Sequence, residues 1–172
     1  MGLKLNRKIT LIDGGMGQEL IHRSKVKPDN LWSARVLLDH YGLVVDLHKD
    51  FINSGAEAIT LNSYTITPDR LKKFNLEDSF KPLQESAIKA AKEAINSFSR
   101  SAGILLLGSL PPLVMSYKTE LGKNKKEAKD IYKRIVEIQQ QHVDVFVCET
   151  VSSIEEAEVV TEVALGSEKK VW

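Results

Sequence analysis

Residues 8–20, KITLIDGGMGQEL, decide how the rest of the sequence is interpreted. The apolar residues 9–12 predict a short β-strand, which ends at the carboxylate of Asp13. The next four residues, GGMG, predict a tight turn, and a helix is predicted to begin at Gln18. A strand, a turn and a helix in this order form the building block of α/β proteins.

The glycine turn suits a ligand that carries both charges of an amino acid. Backbone N–H groups of the turn and the N-terminus of the following helix favour an anion. The carboxylate of Asp13 favours a cation beside them. The same residues also suit a tight βα turn with a capping aspartate, and this stretch alone leaves both interpretations open.

A dinucleotide site is a competing interpretation of the glycines. The pattern G-x-G-x-x-G fits Gly15 and Gly17, but Leu20 stands where the third glycine belongs. That pattern also requires glycine directly after the strand, where this sequence has Asp13. The residues therefore disfavour a dinucleotide at this turn.

Composition excludes several classes of protein. The 172 residues suffice for one domain with a buried core, and 24 basic against 23 acidic residues give no electrostatic footprint for nucleic acid or an acidic membrane. Cys148 is the only cysteine, so an internal disulfide is excluded and a reducing compartment is favoured. Because we recognise neither a signal peptide nor an apolar run that could span a bilayer, we expect a cytoplasmic protein.

Apolar periodicity predicts alternating strands and helices along the chain. Buried strands are predicted at 58–61, 103–107 and 143–147, and a fifth strand begins at Lys170 and is cut off. Helices are predicted at 41–54, 76–99, 123–141 and 153–165, with a short one from Thr67 and loops at 22–27 and 108–112. The alternation favours an α/β fold with a parallel sheet.

Polar residues follow four of the predicted strands, namely Asp13, Asn62, Ser109 and Glu149. Since the carboxyl ends of parallel strands meet at one edge of a sheet, we expect these side chains to lie together. This pattern is typical of (β/α)8 active sites, although a doubly wound open sheet also places ligands at strand ends. An eight-fold barrel needs roughly 250 residues, so four βα units and the start of a fifth strand would form about half of one.

Five motifs together resemble the homocysteine S-methyltransferase family, which includes betaine–homocysteine methyltransferase and the homocysteine-binding module of cobalamin-dependent methionine synthase. They are DGGMGQEL at 13–20, LWSA at 31–34, NSY at 62–64, GSLPP at 108–112 and CET at 148–150. The resemblance covers nearly the whole chain in the right order. It implies a (β/α)8 TIM-barrel enzyme that methylates the homocysteine sulfur to give methionine. Residues 1–172 would be a single domain, the N-terminal part of that barrel.

The resemblance also implies roles for individual residues. The carboxylates of Asp13 and Glu149 would hold the substrate amino group, and backbone amides around Gly15 and Met16 would hold its carboxylate. The loop after the second predicted strand would line the active site. The implied substrate-binding residues are Asp13, Gly15, Met16, Asn62, Tyr64 and Glu149, and no catalytic residue is assigned.

Zinc is the cofactor that the resemblance implies for full-length members. The family binds it through three cysteine thiolates, which keeps the homocysteine thiol ionised, and those cysteines follow the sixth strand and the end of the barrel. Cys148 matches none of them and is expected in the core. The four histidines show no ligand spacing, and His48 and His142 are expected to pack or to lie at the surface. This chain therefore has no predicted zinc ligands.

Three hypotheses about function remain open at this stage. In the first, the chain is the N-terminal part of a homocysteine S-methyltransferase and is inactive alone. In the second, it is a natural half-barrel that pairs with itself or with another chain through open sheet edges, as a non-catalytic binding protein. In the third, it is a different α/β protein. The expected ligands are homocysteine and a small methyl donor that the sequence does not identify.

Overall fold

The computed structural model describes residues 9–25, 27, 29–99 and 101–172, in which helices and strands alternate. The α-helices are α1 (Met16–Ser24), α2 (Ser33–Asp39), α3 (Tyr41–Asn53), α4 (Pro68–Lys72), α5 (Phe80–Asn96), α6 (Lys125–Gln139) and α7 (Ile154–Leu165). The strands are β1 (Ala58–Thr60), β2 (Leu105–Leu110), β3 (Val145–Cys148) and β4 (Lys170–Val171). Short 3₁₀ helices cover Glu77–Ser79 and Ser101–Gly103.

The four strands form one parallel sheet in the order β1-β2-β3-β4. Leu107 of β2 pairs with Val145 of β3, and Val145 pairs with Lys170 of β4. Successive residues of a strand point to opposite faces, so Leu107 and Val145 form a small apolar cluster apart from the main core. The predicted α/β fold with a parallel sheet is confirmed.

The main core lies between the sheet and the helices. Its largest fully buried side chains include Tyr132, Phe146, Leu110 and Ile59, which come from α6 and from three neighbouring strands. Burial of such side chains, at about 25 cal/mol per Å², is the main term that holds a chain of this size together. In the described part of the chain, no helix combines the length and apolar character needed to cross a membrane.

The N-terminal segment 9–12 lies beside β1 but is not a regular strand. Ile12 forms an isolated parallel bridge with Ala58, and the N–H of Glu57 donates to the carbonyl of Leu11 at 2.8 Å. The prediction of a strand here is correct in place and direction and wrong in extent. Among the described residues no strand pairs with the outer side of this segment, and its apolar side chains are largely exposed.

Three other segments differ from the prediction. Residues 22–24, predicted as loop, complete α1, and the unassigned stretch 33–39 forms α2. Gly108 to Leu110, also predicted as loop, continue β2, because their backbone groups pair with β3. A Cβ at Gly108 would lie 2.6 Å from the ring of Phe146, so glycine here reflects close packing and not a turn.

Helix α3 ends within one residue of the predicted 41–54, and Gly55 follows it, where glycine typically ends a helix. Gly55 has a φ of 107°, and its N–H donates to the carbonyl of Ile52 at 3.1 Å. The N–H of Ala56 donates to the carbonyl of Phe51 at 3.0 Å. These two bonds form a Schellman motif, which turns the chain directly from α3 into β1.

Candidate active site

Asp13 lies at the end of the N-terminal segment and is held by one residue of β1. Its carboxylate accepts hydrogen bonds from the backbone N–H of Thr60 at 2.8 Å and from the Thr60 hydroxyl at 2.9 Å. Burial raises the pKa of Asp13 to about 6, although the Thr60 donors act in the opposite direction. At neutral pH the group is therefore mainly ionised in a poorly solvated place.

Glu149 follows β3 and provides the second carboxylate. Its side chain accepts a short hydrogen bond from the Ser109 hydroxyl, and its N–H donates to the carbonyl of Leu110 at 3.2 Å. Burial raises the pKa of Glu149, and the negative charge of Asp13 raises it further. The two carboxylates thus lie close enough to repel each other, and a cation between them would relieve this repulsion.

All six residues predicted from the sequence to bind substrate line one cavity of about 400 Å³. They are Asp13, Gly15, Met16, Asn62, Tyr64 and Glu149. Because the sheet is parallel, the ends of β1 and β3 and the start of α1 meet at the same edge. The structure thereby brings the two carboxylates and the glycine turn together around a space of ligand size.

The glycine turn leaves the first amides of α1 without a side-chain cap. Gly15 is the N-cap residue, and no side chain of the described residues accepts a hydrogen bond there. The interpretation of Asp13 as a capping aspartate is therefore wrong, since its oxygens accept from Thr60 instead. An N-terminus of this kind favours an anion through its free N–H groups and the helix dipole.

Two aromatic rings, those of Trp32 and Tyr64, also line the cavity. The ring of Trp32 meets that of Tyr64 edge-on at 6.3 Å between centroids, and the Tyr64 hydroxyl hydrogen-bonds that of Ser116 at 2.6 Å. A Cβ at Gly17 would lie 3.1 Å from the Trp32 ring, which explains the third glycine of the turn. Asn62 is fixed by a bond from its amide to the Ser33 carbonyl at 3.3 Å.

Sequence reasoning missed several residues that line or support this cavity. Thr60 lies at the end of β1, two residues before Asn62, so its place at a strand end was a usable signal. Trp32 lies in the LWSA motif at 31–34, to which the sequence assigned no role. Its φ of 48° is visible only in the structure. Ser116, far along the chain, gave no signal.

A buried glutamine supports the strand that carries Ser109. Gln139 is fully buried, and its carbonyl oxygen accepts from the Ser109 N–H at 3.1 Å. Its amide donates to the Gln84 side chain at 2.8 Å and to the Ser63 hydroxyl at 3.2 Å. This network joins α5, α6 and β2, and through Ser109 it fixes the position of Glu149.

A buried glutamate supports the loop after β2. The sequence predicts a capping box of Ser153 and Glu156, and the structure contains half of it, a bond from the Glu156 N–H to the Ser153 hydroxyl at 3.1 Å. The Glu156 carboxylate instead accepts from the Leu113 N–H at 3.3 Å and the Tyr132 hydroxyl at 3.5 Å. It therefore serves the tertiary structure and not the helix end.

The described residues do not fit a zinc site. Within residues 9–25, 27, 29–99 and 101–172, no three histidine, cysteine, aspartate or glutamate side chains are grouped to hold a metal ion. Cys148 is half-buried, and burial raises the pKa of its thiol. His48 is fully buried, whereas His142 is exposed.

Together the sheet and the cavity define an α/β protein with a cavity of ligand size at the carboxyl edge of a parallel sheet. A profile of the homocysteine S-methyltransferase family matches residues 10–172. The chain belongs to this family, and the resemblance noted from its motifs is confirmed.

Two curated relatives are similar to nearly all of this chain. A homocysteine S-methyltransferase of Escherichia coli is 28% identical over 170 residues, which cover 90% of this chain and 54% of the relative. A betaine–homocysteine S-methyltransferase of Drosophila melanogaster is 29% identical over 183 residues, which cover 92% and 55%. This chain spans about half the length of these relatives.

A solved structure shows the same fold. The crystal structure of the Escherichia coli homocysteine methyltransferase MmuM in its metallated form matches this chain with a TM-score of 0.85 at 24% identity. The match covers 97% of this chain and 62% of that one. The oxidised form of the same protein gives a TM-score of 0.85 at 26% identity.

Proposed function

We propose that this chain is the homocysteine-binding part of a homocysteine S-methyltransferase, which transfers a methyl group to the homocysteine sulfur to give methionine. Family membership supports the reaction class. The observation that carries the proposal is the meeting of two buried carboxylates and a helix N-terminus without a side-chain cap among the described residues in one cavity. An amino acid has the ammonium and the carboxylate that these groups would bind.

The residues of this chain would bind and orient the substrate. Asp13 and Glu149 would accept from its ammonium group, and the amides around Gly15 and Met16 would donate to its carboxylate. Thr60 and Ser109 hold the two acids through their hydroxyl groups. Charge-assisted bonds of this kind are about twice as strong as neutral ones and would fix the direction of the sulfur-bearing chain.

The architecture proposed for residues 1–172 is a single domain, the N-terminal part of a (β/α)8 barrel in a cytoplasmic protein. The parallel strand order and the coverage of about half of the relatives support it. In the family, zinc activates the thiol. Since the described residues offer no ligand set, we propose that any such zinc is held outside this chain, and that the chain alone forms no methionine.

A second candidate function rests on the exposed apolar segment 9–12 at one end of the sheet. No strand of the described residues pairs with the outer side of this segment, and an unpaired edge is a template for pairing with another chain. The alternative is a natural half-barrel that assembles with itself or with a partner and binds ligands without catalysis. This alternative has the same amino-acid site as the first proposal, but the assembled protein would not catalyse methyl transfer.

Calorimetric titration with homocysteine tests the proposed site. Asp13→Asn and Glu149→Gln should each weaken binding about tenfold or more, because each removes a charge-assisted bond to the ammonium group. Asp130→Asn, on the exposed side of α6, is the control and should leave affinity unchanged. As a ligand control, 4-mercaptobutyrate, which is homocysteine without its ammonium group, should respond little to either acid variant. Equal homocysteine affinity in all four proteins would overturn the proposal.

A further inference from the structure

A second cavity, of about 660 Å³, lies next to the first. Tyr117 lines both cavities, and Tyr64, which lines the first, lies under the guanidinium of Arg70, which lines the second. The second cavity is formed by α4 and by the loop between β2 and α6. Neither the family motifs nor the proposed homocysteine site involves this space.

Among the described residues, Arg70 is a nearly buried cation without an acidic partner. The residue is 8% exposed, and its Nη2 donates to the carbonyl of Val114 at 3.2 Å. Its guanidinium lies 5.6 Å from the centroid of the Tyr64 ring, and its Nε has no hydrogen-bond partner among the described residues. No carboxylate of the described residues forms an ion pair with it. A buried charge without a counter-ion is costly, so an anion here would stabilise the protein.

The rest of the cavity wall adds positive charge. Lys73 and Lys118 are exposed and line the cavity. The wall contains two acids. Asp69 forms an ion pair with Lys123, so Glu120 is the acid that remains to balance the three basic residues of the wall. The local excess of charge is therefore positive, although the whole chain carries a net charge of only +1.

We propose that the second cavity binds an oxyanion, the carboxylate or phosphate group of a small molecule, through the guanidinium of Arg70. The planar guanidinium donates up to five N–H bonds and matches the geometry of both groups. Lys73 and Lys118 would add attraction without fixed geometry. This site is independent of methyl transfer and does not require that the first cavity bind homocysteine.

Isothermal titration of the purified protein with inorganic phosphate and with succinate, at constant ionic strength, tests the proposal. We expect saturable binding of at least one anion, weakened about tenfold by Arg70→Gln. Because loss of Arg70 could unfold the cavity, Lys118→Glu provides a second variant on an exposed residue. It should weaken binding about three-fold or more without changing the thermal melt. Lys133→Glu on α6, outside this cavity, is the matched control.

The outcomes separate the sources of the anion. Binding of phosphate alone assigns the site to a phosphate group, and binding of succinate alone assigns it to a carboxylate; either result supports the proposal. Absence of saturable binding, or equal weakening by Lys133→Glu and Lys118→Glu, would overturn it, since the latter indicates unspecific surface attraction. Displacement of the anion by homocysteine would place the anion in the first cavity and would also overturn the proposal.

Discussion

Asp13 determines how the proposed substrate site responds to pH. Burial raises its pKa to about 6, and a bound ammonium group requires the ionised form. Protons therefore compete with the ligand as pH falls. We expect homocysteine affinity to fall about tenfold between pH 7 and pH 5.

Titration at several pH values checks this prediction. Asp13→Asn should bind weakly at all of them and show a smaller pH dependence, the remainder coming from Glu149, whose pKa is also raised. A wild-type affinity that is constant from pH 7 to pH 5 would contradict the assignment of these acids to the ammonium group.

His48 makes the fold sensitive to acid. It is fully buried, neither ring nitrogen has a partner among the described residues, and burial lowers its pKa to about 3. The unfolded chain takes up a proton near pH 6.5, so stability is full above that value and is lost as pH falls towards 3. The free energy of unfolding should fall by about 2–3 kcal/mol from this residue between pH 7.5 and pH 4.5.

Urea unfolding of His48→Phe at both pH values measures this contribution. The variant should lose less stability at pH 4.5 than the wild type, whereas His22→Gln, at an exposed position, should behave like the wild type. Asp13, with its raised pKa, acts in the opposite direction below pH 6 but is common to all three proteins. Identical pH dependence of His48→Phe and the wild type would show that His48 is solvated.

At the scale of elements, α6 is tied to the site through Gln139. Replacing it by methionine keeps the length of the side chain but leaves the Ser109 N–H without its acceptor. We expect Gln139→Met to destabilise the protein by about 1–3 kcal/mol and to weaken homocysteine binding, because Ser109 holds Glu149. Gln141→Met, on the exposed side of the same chain segment, should do neither.

Chemical denaturation and calorimetry of the two glutamine variants distinguish support of the site from general packing. If Gln139→Met loses stability but binds homocysteine normally, Glu149 is positioned without the network. The matched exposed variant Gln141→Met controls for the change in side-chain type.

The packing of β2 on β3 also depends on the lack of a side chain at Gly108. Gly108→Ala would place a Cβ 2.6 Å from the Phe146 ring, and overpacking of this kind costs about 1–3 kcal/mol. Phe146→Leu should partly compensate in the double variant, measured by chemical denaturation. Gly42→Ala, where a Cβ meets nothing within 4 Å, should be neutral or stabilising.

The elements show which sequence signals carry structural information. Apolar periodicity predicted four of the helices, α3, α5, α6 and α7, and the parallel strands within a few residues, because burial against one face is a local pattern. It missed α2 and the last turn of α1. The same signals misplaced residues 108–110, since a glycine selected by the Phe146 ring looks like a turn residue. Asp13 does not cap α1, and the Glu156 carboxylate does not complete the capping box with Ser153. The reason is the same, because both carboxylates accept hydrogen bonds from groups distant in sequence. Long-range partners of this kind leave no periodic trace.

For the whole molecule, the two lateral edges of the sheet predict self-association of the chain. Ile9, Leu11 and Ile12 are 87%, 54% and 48% exposed, and β4 contributes only two residues at the other end. Unpaired apolar edges invite strand pairing, so we expect the chain to self-associate or to be marginally stable at micromolar concentration.

Sedimentation velocity with a thermal melt tests this expectation. Leu11→Lys should shift the protein towards monomer, because a charged edge resists pairing. A lysine in place of Leu165, which is exposed on α7, is the control and should leave association unchanged. A compact monomer with a cooperative transition would argue against the half-barrel and favour a self-contained open sheet.

The two tryptophans provide intrinsic fluorescence at two different places in the molecule. Trp32 is half-buried in the cavity wall, and Trp172 is 47% exposed at the end of β4, where it pairs with β3. Their emission would therefore follow different events, ligand entry for Trp32 and edge contact for Trp172. In Trp172→Phe the remaining fluorescence belongs to the cavity alone, so quenching by homocysteine can be followed without labelling the protein.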